Sequence, residues 1–477
     1  MPRFSSAFRI GKTQAELDFV DVQLETDNPL FLDPFALSQR ADRWSLECHL
    51  ALVTFFQRVV DDIRGGHEDR AMELLRHLRE PNETRLGFSA RRPNGAGIGE
   101  FQAGQLFEAL QESSAVRTGF LSSLEECELM IEGIGRDKIS DLTTNIVRAQ
   151  LVQYSRDQCG LHGIAVETVA LPPYFDHSRL IWTTNFVDVP VWHGRPVVLV
   201  PKSIVRYDPA YEHRRYYRNF VLPYLQAEEL RAGSSLVHTL QNGRRVVYKK
   251  DLAARFPCTK EFLYAFSREH PEVLGEYRDT LGRMERSDRS SDVDDVDERE
   301  IARALQASIQ AIPAGSESAS AYHKFMVGAV EFIFFPKLLY PRKEQEIHQG
   351  RKRIDILMEN GAQVGVFHTI PGVRMLPCAY VPFECKNYVT EVGNPELDQL
   401  SGRFSTNRGK LGFLCCRHFE DRRHFVERCR DTFRDGRGLI LPLDDQHLLR
   451  ILALIEQGQR PQLEREISDL VAEVWIA

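Results

Sequence analysis

The sequence predicts a protein of mixed α/β class, and three observations in residues 318–445 carry that prediction. Apolar side chains recur three and four positions apart between Tyr322 and Ile333, which predicts an amphipathic helix. Four short apolar runs, bounded by charged or turn residues, predict strands. A second helix falls between the third and fourth runs, so the predicted order is α-β-β-β-α-β. We expect a mixed central sheet with helices on both faces.

Each of the four predicted strands is a short apolar run. They span residues 353–358, 363–370, 380–387 and 410–417. The helix between the last two runs spans residues 395–404 and carries Gln399 and Arg403.

The clearest change of composition along the chain is residues 276–300, which are dense in alternating charge and poor in aromatic residues. Such a stretch buries little apolar surface, so it predicts a linker or a solvated helix. We therefore place a charged linker at 276–317, between a larger α+β region at 1–275 and a C-terminal domain at 318–477. The N-terminal region is mostly helical to about residue 160 and richer in strand signals afterwards, so a further division near 160 is open.

The bulk composition predicts a cytoplasmic protein without a membrane partner. No run approaches the ~18 to 20 apolar residues that a membrane span needs, and the N-terminal residues lack the apolar core of a secretory signal. The nine cysteines include no C-x-x-C pair and sit mostly in apolar runs, as reduced buried thiols do. The net charge of -7 argues neither for nor against a nucleic-acid partner, because a local groove can still be basic.

The segment Glu384-Cys385-Lys386 places two opposite charges on one face of a predicted strand, since residues i and i+2 project together. Charge is costly at a partly buried position unless it is paired. A bound divalent metal would explain charged residues at these partly buried positions. Asp355 and Glu384, from neighbouring strands, would coordinate Mg²⁺ through oxygen, with the backbone carbonyl of Cys385 and waters completing the octahedron. Lys386 would then position or deprotonate the attacking water and stabilise charge on phosphate.

This arrangement resembles the PD-(D/E)xK superfamily of restriction-endonuclease-like nucleases. The matching residues are Asp355 after Arg353-Ile354, then Glu384 and Lys386 in Phe-Glu-Cys-Lys, then Gln399 on the next helix. The resemblance is confined to the C-terminal domain. No proline directly precedes Asp355, and the 29 positions from Asp355 to Glu384 are a long interval for the superfamily.

The resemblance implies a metal-dependent endonuclease that hydrolyses phosphodiester bonds of DNA, with Mg²⁺ as cofactor and Mn²⁺ able to substitute. The implied catalytic residues are Asp355, Glu384, Lys386 and Gln399. Glu331 matches an acidic residue that many members carry on the first core helix, and it is a candidate further metal ligand.

Basic residues near these positions are candidates to grip the nucleic-acid backbone. They are Arg353, Arg403, Arg408 and Lys410. A solvated helix end, where the helix dipole favours cations, explains the last three equally well.

The resemblance also implies a role as effector of a prokaryotic anti-phage or restriction-type defence system. Residues 1–275 would then act as a sensor, specificity or docking region, through a partner protein or a homo-oligomer. Two other functions stay open: a catalytically inactive nuclease-fold adaptor that binds nucleic acid, and a ribonuclease. The plain structural alternative is a surface salt bridge between Glu384 and Lys386 on an edge strand.

Overall fold

The computed structural model describes residues 1–87, 97–119, 121, 123–207, 210–286, 297–343 and 355–475. Over these ranges the chain is of mixed α/β class, as predicted, with more helix than strand. None of the described helices combines the length and the apolar composition that a membrane crossing requires.

Helices make up most of the chain up to residue 162. They are α1 (Phe4–Ala7), α2 (Pro34–Ser38), α3 (Arg43–Arg64), α4 (Glu68–Leu75), α5 (Gly97–Glu112), α6 (Ser114–Arg117), α7 (Cys127–Met130), α8 (Arg136–Ile146) and α9 (Arg148–His162), with a 3-10 turn at Gln14–Glu16.

Short antiparallel strand pairs follow α9, and one of them joins this part to the N-terminal segment. The strands are β1 (Phe31–Leu32), β2 (Glu167–Ala170), β3 (Tyr174–Asp176), β4 (Ile181–Thr183), β5 (Phe186–Val189), β6 (Val191–Trp192), β7 (Arg195–Pro196), β8 (Val205–Arg206), β9 (His238–Thr239) and β10 (Arg245–Val246). The pairs are β1 with β8, β2 with β5, β3 with β4, β6 with β7 and β9 with β10. The helices among and after them are α10 (His213–Tyr216), α11 (Leu222–Ala232), α12 (Lys249–Arg255), α13 (Lys260–Glu269) and α14 (Pro271–Arg286), with a 3-10 turn at Lys202–Ile204 and a π-helix at Tyr217–Val221.

The predicted linker contains helical structure at both ends. Helix α14 extends into it and buries Tyr277 and Leu281, and α15 (Glu298–Ala311) occupies its second half. The apolar face of α15, spaced at i, i+4 and i+8, packs into the C-terminal core. Residues 287–296 lie outside the described ranges, and the division of the whole chain into domains stays a prediction.

The C-terminal region is built on a five-stranded mixed sheet, which confirms the mixed sheet that the sequence predicts. Its strands are β11 (Leu338–Arg342), β12 (Ile356–Asn360), β13 (Tyr380–Lys386), β14 (Leu411–Cys416) and β15 (Leu439–Asp444), and they lie side by side in that order. The pairs β11–β12 and β12–β13 are antiparallel, whereas β13–β14 and β14–β15 are parallel. The helices of this region are α16 (Ala319–Phe334), α17 (Val366–Gly372), α18 (Asn394–Ser401), α19 (Arg422–Arg434), α20 (Asp445–Glu456) and α21 (Leu463–Trp475), with 3-10 turns at Ser316–Ser318 and Arg460–Gln462.

One predicted strand is wrong: residues 363–370 form most of α17. A short apolar run fits a buried helix as well as a strand, and here Gly365, at φ 82°, turns the chain so that Phe367 and Ile370 are buried on one helical face. Strand β11, which the sequence pattern did not reveal, replaces the lost strand, so three strands still precede α18. Its Pro341 disfavours a strand prediction, but β11 is an edge strand, where proline is tolerated.

Helices cover both faces of the sheet, as expected. Phe334 of α16 packs against Phe383 and Phe413, with ring centroids 5.5 and 5.3 Å away. Phe404, which follows α18, lies against the neighbouring position Gly412, where an added Cβ would come within 3.0 Å of its ring. Since Gly412 and Phe413 face opposite sides of β14, α16 and the segment after α18 lie on opposite faces.

The N-terminal region and the sheet region meet through buried polar contacts. The Lys202 ammonium lies 2.9 Å from the Glu331 carboxylate, and both side chains are at most 2% exposed. The backbone N–H of Tyr340 donates to Asp18 Oδ1 at 3.3 Å. These contacts fix the sheet against the region that precedes it.

Candidate active site

Asp355 and Glu384 are brought together by the antiparallel pairing of β12 with β13. Ile356 lies opposite Phe383, so Asp355, one residue before β12, comes opposite Glu384. Directly opposed residues of such a pair have Cβ atoms about 4.5 to 5.5 Å apart on one face. Asp355 Oδ2 accepts a hydrogen bond from the backbone N–H of Cys385 at 2.7 Å, which holds the carboxylate beside β13.

The Glu384 carboxylate is held between two cations. Its side chain is 1% exposed, its Oε1 lies 2.6 Å from Lys386 Nζ, and its Oε2 contacts Arg403 Nη1. Burial raises the pKa of Glu384, and the negative charge of Asp355 raises it further, against the opposing effect of the two cations. For Lys386, burial acts to lower the pKa, but the Glu384 carboxylate outweighs it, so the pKa of Lys386 is raised. Lys386 is therefore an ammonium at neutral pH.

Helix α18 adds Gln399 to this group. The helix begins with a capping contact in which the Glu396 carboxylate accepts from the backbone N–H of Gly393 at 2.8 Å. Gln399 lies in its second turn, and Lys386 Nζ donates to Gln399 Oε1 at 3.3 Å. The structure thus brings all four predicted catalytic residues to one end of β13.

Glu331 lies elsewhere, so the structure does not place this candidate metal ligand with the carboxylate pair. His323, at the start of α16, contacts the backbone carbonyl of Asp355 at 3.0 Å. Glu331 lies eight residues later on the same helix, about 12 Å along its axis. Its partner is Lys202, and burial raises its pKa to about 7.

The predicted phosphate contacts that fall within the described residues do not lie together on one surface. Arg403 is 4% exposed and lies against Glu384, because its backbone N–H bonds to the Leu400 carbonyl at 3.0 Å and turns the chain back under α18. This burial corrects the expectation that Arg403 is exposed to grip a phosphate backbone.

Arg408 and Lys410 lie at the other end of β13. The Arg408 carbonyl accepts from the backbone N–H of Tyr380 at 2.7 Å, and Tyr380 is ~13 Å along the strand from Glu384. Lys410 Nζ donates to the Gly436 carbonyl at 3.1 Å. Arg353 lies outside the described residues.

Sequence reasoning missed two contributions to the site. The contact of His323 with Asp355 joins two elements 32 residues apart, and no local pattern indicates it. Arg403 was predicted as a phosphate contact on the helix, but it lies in the turn after α18 and contacts Glu384 instead. This contact depends on the turn, and no local pattern in the sequence indicates it.

The donor set at Asp355 and Glu384 fits a hard divalent cation such as Mg²⁺, which prefers carboxylate oxygens. The cation would compete with Lys386 and Arg403, because both oxygens of Glu384 already face a positive charge. Within the described part of the chain, closely grouped metal-ligating side chains occur at Glu128, Glu212 and His213. These three side chains already have hydrogen-bond partners. Glu128 accepts from both the backbone N–H and the ring of His213, and the Glu212 carboxylate caps α10.

Comparison with known proteins adds a likeness in the N-terminal region. Residues 9–212 match the model of a domain of unknown function (DUF8370). The matched segment includes Asp18 and Lys202, which contact the sheet region, and it ends well before the candidate site. No curated protein and no solved structure matches the chain.

Proposed function

We propose that the chain is a Mg²⁺-dependent endonuclease that hydrolyses phosphodiester bonds of DNA. The observation that carries the proposal is the convergence of Asp355, Glu384 and Lys386 at one end of β13, with Gln399 bonded to Lys386. Apart from α17, which lies between β12 and β13, the elements from α16 to β14 follow the predicted α-β-β-β-α-β order. That order, with the change from antiparallel to parallel pairing at β13, supports the proposal of a restriction-endonuclease-like core.

Each side chain suits a separate part of such a reaction. Asp355 and Glu384 would hold Mg²⁺, which when bound lowers the pKa of a coordinated water and offsets charge on phosphate. Lys386 Nζ would contact the attacking water or the scissile phosphate. The Gln399 amide can orient a water or a phosphate oxygen but cannot take a proton.

A second candidate function is an inactive adaptor that uses the same fold to bind nucleic acid. The observation that favours it is the full neutralisation of Glu384, whose two oxygens both face cations. A ribonuclease activity would use the same residues. The proposed defence role, and docking of a partner or second copy through residues 1–275, rest on the resemblance to the nuclease superfamily. The proposed cytoplasmic location rests on the bulk composition.

Asp355→Asn is expected to reduce Mg²⁺-dependent nicking of supercoiled plasmid by about a hundredfold, because it removes a ligand charge and keeps the side-chain shape. The measurement is nicking by the purified full chain with and without Mg²⁺, with a structured RNA assayed in parallel. Asp469→Asn is the matched control, since Asp469 lies exposed on α21.

Equal nicking by Asp355→Asn and the parent would place the activity outside this site. Retained nucleic-acid binding without cleavage, in parent and variant alike, would favour the adaptor. Cleavage of RNA alone would assign a ribonuclease.

A further inference from the structure

Arg403 is a buried cation whose position is set by the turn after α18. Its side chain is 1% exposed and contacts Glu384 Oε2. The backbone N–H groups of Arg403 and Phe404 bond to the carbonyls of Leu400 and Ser401 at 3.0 and 3.1 Å. The turn fixes the Cα position of Arg403 below α18, and the nearly complete burial of its side chain restricts movement of the guanidinium away from Glu384.

Lys386 holds the other oxygen of Glu384 less firmly. Its side chain is 14% exposed, and its Nζ is shared between Glu384 Oε1 and Gln399 Oε1. An ammonium on a flexible stem can change partners by rotation about its own side-chain bonds. Of the two cations on Glu384, Lys386 is the one that can move.

The charges of the group sum to zero. The two carboxylates, Asp355 and Glu384, contribute two formal negative charges, and Lys386 and Arg403 contribute two formal positive charges. A site made of the same two carboxylates and Lys386 alone would carry a net negative charge, which favours a divalent cation. Repulsion from a nearby buried cation is strong because screening there is weak.

We propose that Arg403 is a positioning residue that occupies Glu384 Oε2 and weakens divalent-cation binding. Oε1 is then the Glu384 oxygen that is available to a bound cation. Lys386 leaves Oε1 when a cation occupies the site, and its ammonium becomes available to the substrate phosphate. The inference rests on the proposed metal-dependent function. It explains why a neutral cluster of four charges lies at the end of β13.

The test is binding of Mn²⁺ to the full chain without nucleic acid, followed at pH 8 through the electron paramagnetic resonance signal of free Mn²⁺. Arg403→Met removes the charge and keeps an unbranched side chain of similar length. We expect it to bind Mn²⁺ about tenfold more tightly than the parent, or more. Arg403→Lys keeps the charge and should stay close to the parent. Asp355→Asn in either background should abolish the binding.

Far-UV circular dichroism and thermal unfolding establish that each variant is folded. Folded Arg403→Met with the parent's affinity, or a weaker one, would overturn the inference while leaving the proposed function intact. If Arg403→Met does not fold, a parent-like affinity in folded Arg403→Gln overturns the inference, and a tighter one supports it. Absence of Mn²⁺ binding in parent and variants alike would overturn the proposed function together with this inference.

Discussion

Replacing Lys386 by Ala is expected to slow single-turnover cleavage of DNA by about 10³-fold, with little change in the Kd for DNA. The ammonium of Lys386 contacts Glu384 and Gln399. In the proposed reaction it acts on the attacking water or the scissile phosphate, where charge develops in the transition state. An interaction made mainly in the transition state affects the rate and not ground-state binding. The measurement is the cleavage rate with enzyme in excess, paired with a binding titration in Ca²⁺.

Gln399→Ala provides the comparison within the site. Its amide positions Lys386 and carries no charge, so we expect a smaller loss of rate than for Lys386→Ala. Lys250→Ala, an exposed lysine of α12, is the matched control. A nearly normal rate for Lys386→Ala with a dead Gln399→Ala would reverse the assigned roles. Parent-like rates for both variants would show that this site takes no part in the reaction.

Replacing Lys202 by Met is expected to destabilise the fold by about 3 to 5 kcal/mol at pH 8, because it removes the direct ion-pair partner of the buried Glu331 carboxylate. The Lys202 ammonium also donates to the Leu17 carbonyl at 2.6 Å, so the variant loses a contact within the N-terminal region as well. The measurement is the urea midpoint and slope, with Lys250→Met as the exposed control.

This destabilisation should be smaller at pH 5.5 than at pH 8. Burial raises the pKa of Glu331 from its ordinary 4.5 to about 7 in the folded protein. A carboxyl group whose pKa is higher in the folded protein than in the unfolded chain stabilises the fold fully at pH values below its unfolded-state pKa. This stabilisation is lost as the pH rises through its folded-state pKa. Lys202 acts to lower the pKa of Glu331, so Lys202→Met raises it further and extends the loss above pH 7. A destabilisation that is equal at both pH values would show that Glu331 does not carry the effect.

Local patterns were sufficient for three elements of the C-terminal region. The apolar stripe of α16, the strand at 380–386 and the helix at 394–401 were predicted close to their observed bounds. The helical spacing of the apolar residues identified α16, whereas the strand at 380–386 was identified as a short apolar run bounded by polar residues. The strand predicted at 363–370 was wrong because the periodicity of a short apolar run does not distinguish a strand from a buried helix. The helix at 298–311 was placed in a linker because it follows the charge-dense stretch at 276–300, although its apolar face is buried.

The sequence by itself determined the mixed α/β class, the mixed sheet and the identity of the residues that meet at the end of β13. It could do so because alternation along a strand fixes which side chains share a face. Only the tertiary structure decided that Arg403 is buried on Glu384, that Glu331 pairs with Lys202, and that Arg408 and Lys410 lie at the far end of the strand. Those outcomes depend on turns and on contacts between residues distant in the chain, where desolvation and pairing of charge outweigh local preference.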